Sequence, residues 1–194
     1  MTAEEKIEQA NFINRHVNTM IVKTFDLLAD IYKNRQEGIT PQSNNNEEKC
    51  RLIYPCYSNE ACRISEQELR FAFVEIFNRY CDLEGLPWLY SVETPTMNTY
   101  FFSKGKKAGQ EPFPRQDDKG ESANFDFVIH DQNLKRICLI EFKALNADKS
   151  EHQKDLLKLI KDHEVENLKN KRYYDYTQRY FIEILSFFCR GIFL

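Results

Sequence analysis

A chain of 194 residues with 42% hydrophobic content is long enough to bury a substantial core, and its simplest reading is one globular domain with appendages. No run of about 18 apolar residues occurs, so no membrane contact through a spanning helix is expected, and the N-terminus lacks a signal-peptide core, which makes the cytoplasm the expected location. The formal net charge of −3 argues against a protein that coats polyanions indiscriminately, although a local basic groove would still admit nucleic acid.

In chain order, residues 1–35 read as an amphipathic helix. Ala10, Ile13, Val17, Ile21, Thr24, Leu28 and Ile31 recur at steps of three and four, and Met20, Phe25 and Leu27 widen the stripe. Such a stripe packs on its own domain or, alternatively, on a second protomer or another protein. Residues 36–49 (QEGITPQSNNNEEK) are polar and read as a linker, so the main domain is expected to span 50–194. The six cysteines contain no C-x-x-C pair. Reduced thiols are therefore expected, with the even spacing of Cys50, Cys56 and Cys62 as a faint metal signal.

A second helix is expected over 65–80, with Leu69, Ala72, Phe73, Ile76, Phe77 and Tyr80 on one side. Ser65 and Glu68 form an S-x-x-E capping box, which gives Glu68 a structural task. Glu66 instead lies at the edge of the apolar stripe, where a first-turn carboxylate either serves the helix dipole or reaches over a neighbouring sheet. Residues 88–92 read as the first strand, and residues 99–102 either extend the sheet or begin a loop. Residues 103–122, with Lys104, Lys106, Lys107, Arg115 and Lys119, form a solvated loop or a phosphate-contacting flap.

The stretch Asn124–Lys143 organises the rest. Two β-type runs flank a polar turn, and each carries a carboxylate: Asp126 in the first, and Glu141, followed by Phe142 and Lys143, in the second. A four-residue loop over 132–135 makes facing residue numbers sum to 267, so Val128 meets Leu139, His130 meets Ile137 and Asp126 meets Glu141. Lys143 shares the face of Glu141 because side chains alternate along a strand. Like charges directly opposed destabilise a sheet unless a cation lies between them. A helix is then expected over 150–162, capped by Ser150 and Gln153 with His152 in solvent, followed by a last strand over 179–185 and an apolar end that packs on the domain.

The element order, with Asp126 followed fifteen residues later by Glu141-Phe142-Lys143, resembles the PD-(D/E)XK (restriction-endonuclease-like) nuclease superfamily over residues 65–185. The resemblance implies an α/β fold: an αβββαβ core with a mixed central sheet, here preceded by the N-terminal helix. It further implies a DNA endonuclease in which Asp126 and Glu141 bind Mg²⁺, with Mn²⁺ as substitute, and Lys143 orients or activates water. Glu66-Gln67-Glu68-Leu69 resembles the start of the assisting helix in Holliday-junction-resolvase-like members, which favours Glu66 over Glu68 as the helper acid and metal ligand. The chemistry agrees: hydrolysing a phosphodiester calls for a hard cation, Asp126 and Glu141 are hard ligands, and the backbone carbonyl of Phe142 adds a third. Lys143, partly desolvated, is expected to have a lowered pKa. The contrasting reading is a catalytically inactive nuclease-fold module that binds nucleic acid or a protein partner.

Overall fold

The computed structural model describes residues 1–37, 50–101, 115–116, 120–144, 149–161 and 173–184. Helix α1 (Ala3–Gln36) starts where Thr2 caps it: the Thr2 hydroxyl accepts the Glu5 N–H at 3.1 Å and the Glu5 carboxylate accepts the Thr2 N–H at 2.7 Å. Its buried residues are Ile13, His16, Val17, Met20, Ile21, Thr24, Leu28 and Ile31, the expected stripe with His16 added, while Ala10, Phe25 and Leu27 are half-buried at its edges. The stripe is covered by this chain itself, since α1 packs on helix α2 (Glu66–Glu84) and strand β5 (Tyr173–Glu183). The side chain of His16 meets Tyr80 Oη at 2.9 Å, and Tyr180 Oη donates to Asn14 Oδ1 at 2.7 Å.

Helix α2 runs four residues past its expected end and stops at Gly85, whose φ of 62° is a left-handed conformation that glycine adopts without Cβ strain. Strand β1 (Leu89–Phe101) is one long strand, so residues 99–101 extend the sheet, with an irregularity between Pro95 and Thr99. Strands β2 (Arg115–Gln116), β3 (Glu121–His130), β4 (Arg136–Lys143) and β5 complete a sheet of order β2-β1-β3-β4-β5, in which only β4 and β5 run parallel. Helix α3 (Lys149–Lys161) makes the crossover between those two, as parallel neighbours require. The chain is thus an α/β protein with a mixed, open sheet.

The β3–β4 register and two further boundaries also differ from the sequence reading. Facing numbers on β3 and β4 sum to 267 at Phe127, Val128 and Ile129, as expected, but His130 pairs with Arg136 rather than Ile137. Asp131 causes the slip: its Oδ1 accepts the amides of Asn133 and Lys135, each at 2.9 Å, and Leu134 turns left-handed (φ 60°), so the loop closes one residue early. Strand β5 begins at Tyr173, six residues before its expected start, because the alternation Tyr174, Tyr176, Gln178, Tyr180 already suits a strand. Helix α3 begins at Lys149, which places Ser150 inside it rather than at its cap. Most of the 36–49 linker and the 103–122 flap, and the apolar end from 187, lie outside the described residues.

One principal core joins α1, α2 and the sheet. Phe73, Phe77, Phe127 and Phe142 interlock there, with Phe73–Phe127 ring centres 5.1 Å apart and Phe73–Phe142 5.5 Å, and the exposed Tyr90 stacks on Phe127 from the edge. Edge-on aromatic pairs of this kind contribute about 0.5–1.5 kcal/mol each beyond the area they bury. On the opposite face, Phe125, Val128 and Leu139 form a smaller cluster with Leu159 of α3. Charged side chains finish that second face.

Candidate active site

Strand β4 sends Ile140 and Phe142 into the principal core and Leu139 toward α3, so Glu141 and Lys143 follow Leu139 to the α3 side. The β3–β4 pairing ends at Phe127↔Ile140, and beyond it Asp126 reaches β4 through its side chain, so the expected Asp126–Glu141 pair is not part of the ladder. The Asp126 carboxylate accepts the Phe142 N–H at 2.8 Å through Oδ2 and a 2.8 Å bond from Arg70 Nη2 through Oδ1. Arg70, one turn after Glu66 on α2, also donates to Glu93 Oε1 at 2.7 Å. Since Val92 pairs with Phe127 and Thr94 with Phe125, Glu93 lies level with Asp126. Three carboxylates, Glu93, Asp126 and Glu141, therefore lie on three neighbouring strands. Glu93 holds its place with φ at 47°, a left-handed conformation that costs a non-glycine residue roughly 1–2 kcal/mol.

The other half of the site comes from α3. Lys158 Nζ lies 2.7 Å from Glu141 Oε1, 2.8 Å from Asp155 Oδ1 and 2.7 Å from the Asn124 carbonyl oxygen. Asp155 Oδ2 in turn is 2.8 Å from Lys143 Nζ, which also reaches Glu66 Oε1 at 3.2 Å. Glu141 is 1% exposed and Lys158 4%, so little water screens this contact. The Lys158–Glu141 approach is an ion pair off the hydrogen-bonding line, and Glu141 Oε1 is left buried without a hydrogen bond.

Burial pushes the Glu141 carboxyl well above its ordinary range; Lys158 opposes this, while Asp126 and Asp155 add to it. For Lys143, burial acts downward, but Asp155, Glu66 and Asp126 outweigh it and the net direction is upward. The expected lowering at Lys143 is therefore corrected: carboxylates on two sides hold it as an ammonium. Lys158 behaves likewise, raised by Glu141 and Asp155 against its own desolvation. Asp155 ends below its ordinary value because Lys158 and Lys143 overcome its burial.

The structure thus brings Asp126, Glu141, Lys143 and Glu66 into one network, and adds Arg70, Asp155 and Lys158, which the sequence reading missed. The available signal was the pair Asp155-x-x-Lys158, which shares a helix face, placed shortly after Glu141 and Lys143. The separation of the two α2 glutamates holds: Glu66 reaches Lys143, whereas Glu68 accepts the Ser65 N–H at 2.8 Å and contacts the Ser65 hydroxyl and Arg63. His152, expected in solvent, is half-buried on Phe181 and meets Glu183 Oε1 at 2.9 Å. Lys104, Lys106, Lys107 and Lys119 lie outside the described residues, and Arg115 is described in its backbone alone.

Among the described residues, no three His, Cys, Asp or Glu side chains are arranged to hold a metal ion. That applies to Cys50, Cys56 and Cys62, of which Cys56 and Cys62 face each other with sulfurs 3.9 Å apart while Arg35 donates to Cys56. The set that does converge is two carboxylate oxygens and a carbonyl around Lys158 Nζ. Hard oxygens are the donors Mg²⁺ selects, and Glu141 Oε1, buried without an aligned hydrogen bond, already faces a cation in the Lys158 ammonium, so the donor chemistry fits a hard divalent cation. Charge fits as well: five carboxylates (Glu66, Glu93, Asp126, Glu141, Asp155) against three cations (Arg70, Lys143, Lys158) leave a formal −2 when all are ionised. Compared with known proteins, the chain matches no family model, no curated protein and no solved structure.

Proposed function

We propose that this chain is a metal-dependent nuclease that hydrolyses phosphodiester bonds, with DNA as its substrate. One observation carries the reading: Asp126, Glu141 and Lys143 gather at neighbouring ends of β3 and β4, Asp126 accepting the Phe142 N–H between the other two, in a network rich in carboxylates. A buried ion network stabilises a fold no better than an apolar one of the same volume, so its place on a fully buried strand is better explained by chemistry than by stability.

Asp126 and Glu141 would hold the cation, with the Phe142 carbonyl as a third donor and Glu66 assisting from α2. When bound, Mg²⁺, or Mn²⁺ in its place, shields the phosphate charge and makes a water acidic enough to attack near neutral pH. Lys143 is kept protonated and steered by Glu66 and Asp155. Its part is to orient the water and face the anionic phosphate rather than to remove a proton.

Purified protein with Mg²⁺ or Mn²⁺ is expected to nick or cut DNA. Lys143→Ala should lower that rate at least about a hundredfold, the usual scale for losing one oriented charged donor, with the far-UV circular dichroism unchanged. Lys143→Met, which keeps the aliphatic stem, should behave the same. Equal cutting by wild type and both variants would sink the proposal. The inactive-module reading draws on one fact, that both oxygens of Asp126 already accept hydrogen bonds. Mn²⁺ calorimetry decides between them: no heat, or heat unchanged by Asp126→Asn, favours the module.

A further inference from the structure

The ammonium of Lys158 sits in a cage of oxygens: Glu141 Oε1 at 2.7 Å, Asp155 Oδ1 at 2.8 Å and Asn124 O at 2.7 Å. Glu141 and Asp155 come from different elements, β4 and α3, and both are buried, as is Lys158. Three oxygens around one positive charge are what a small cation site offers, and one of them, Glu141 Oε1, is held against that charge as a buried ion pair. Lys158 donates to the Asn124 carbonyl oxygen and stands as an ion-pair partner to both carboxylates.

We infer that Lys158 is a built-in cation that holds the site in competition with the metal, and that Asp155 is a further anionic ligand which it masks. The inference rests on the nuclease reading for the identity of Glu141 as a ligand. Two cations cannot share Glu141 Oε1 at such range, so a divalent ion that engages it must drive the ammonium away. Asp155 is the element that allows this. It joins Lys158 through Oδ1 and Lys143 through Oδ2, so an ammonium leaving Glu141 still has Asp155 beside it. The four-carbon stem of lysine permits that displacement from a fixed Cα. Metal would therefore load against a standing penalty, and only a tightly held ion, or one delivered with a polyanionic substrate that attracts the displaced ammonium, would overcome it.

Mn²⁺ titration by calorimetry tests this on the full chain, with circular dichroism as a check on folding. Lys158→Met removes the charge and keeps the stem. It should bind Mn²⁺ at least about tenfold more tightly than wild type, and Asp155→Asn added to it should cancel most of the gain. Without metal, Lys158→Met should melt below wild type, because Glu141 and Asp155 then face each other uncompensated, and saturating Mn²⁺ should restore the difference. Should Lys158→Met fail to fold, Lys158→Gln, which retains a donor for Asp155, undergoes the same titration. Wild-type binding that is lost in Asp126→Asn yet unchanged or weakened by removing Lys158 overturns the competition and leaves the metal reading standing. Absence of Mn²⁺ binding in wild type and Lys158 variants alike overturns both.

Discussion

His16 shows how a single side chain can combine packing with titration. It is buried on the inner face of α1, edge-on to Phe12 and Trp88, and bonded to Tyr80. Burial lowers its pKa, Arg15 adds to the lowering, and Glu84 opposes it. His130, between Ser91 and the Leu134 carbonyl, is lowered for the same first reason, with Arg136 assisting. Each imidazole holds its proton less tightly folded than unfolded, so below about pH 6.5 the unfolded chain carries more protons. The contribution of these two imidazoles to stability should therefore rise with pH through that region and be lost as the pH falls toward the depressed folded values, while Glu141, whose carboxyl is raised, contributes in the opposite sense. Melting temperatures between pH 7.5 and 5.5 should show this slope, and His16→Gln, which can still bond Tyr80, should flatten it; an unchanged slope in His16→Gln and His130→Gln would assign the dependence elsewhere. At this scale the sequence was legible where local chemistry fixes a role, as for Glu68 in its capping box. It was not legible for Asp155 and Lys158. Helical periodicity assigns charged residues to water, yet α3 covers a sheet face that carries Glu141 and Lys143, so its inner side must be charged to match. Ile160, counted as apolar, is exposed instead.

At the scale of elements, the first turn of α2 gives two glutamates, two residues apart, different partners. Glu68 is 5% exposed and closes the capping box on Ser65, whereas Glu66 points to Lys143. Glu68→Ala frees a buried N–H and the Arg63 partner, a loss of about 1–2 kcal/mol, or roughly 2–8 °C in Tm for a chain of this size. It should leave Mn²⁺ affinity unchanged. Glu66→Gln should do the reverse, leaving Tm within about 2 °C, the scale of a surface change, while reducing cleavage because Lys143 is less firmly aimed. Reversed phenotypes would exchange the two roles. The hairpin illustrates the limit of element-level reading: its register was legible because hydrophobic alternation on a buried strand tolerates no slip, whereas the bulge at His130 depends on the Asp131 side chain capturing two amides, an event that patterning does not encode.

For the whole molecule, the question is whether α1 is an appendage or part of the fold. Its stripe was visible as a 3.6-residue period, but the period cannot say which surface receives it, and the contacts with Tyr80, Tyr180 and Trp88 arise only once β5 and the segment after α2 are in place. Val17 is 0% exposed, and Met20 and Leu28 share one core with Phe73, Phe127 and Phe142. A helix that supplies this much of a single core should unfold with it. Trp88, the sole tryptophan, rests on Phe12 and His16 with ring centres 6.1 and 5.8 Å away, so its fluorescence reports whether α1 is docked. Urea unfolding followed by Trp88 emission and by far-UV circular dichroism should therefore give coincident midpoints. Val17→Asp, which buries an unpaired carboxylate at a cost of about 3–5 kcal/mol, should move both midpoints down together. If emission changes first while most of the dichroism persists, α1 detaches as a separate unit, and the sheet with the α3 network stands without it.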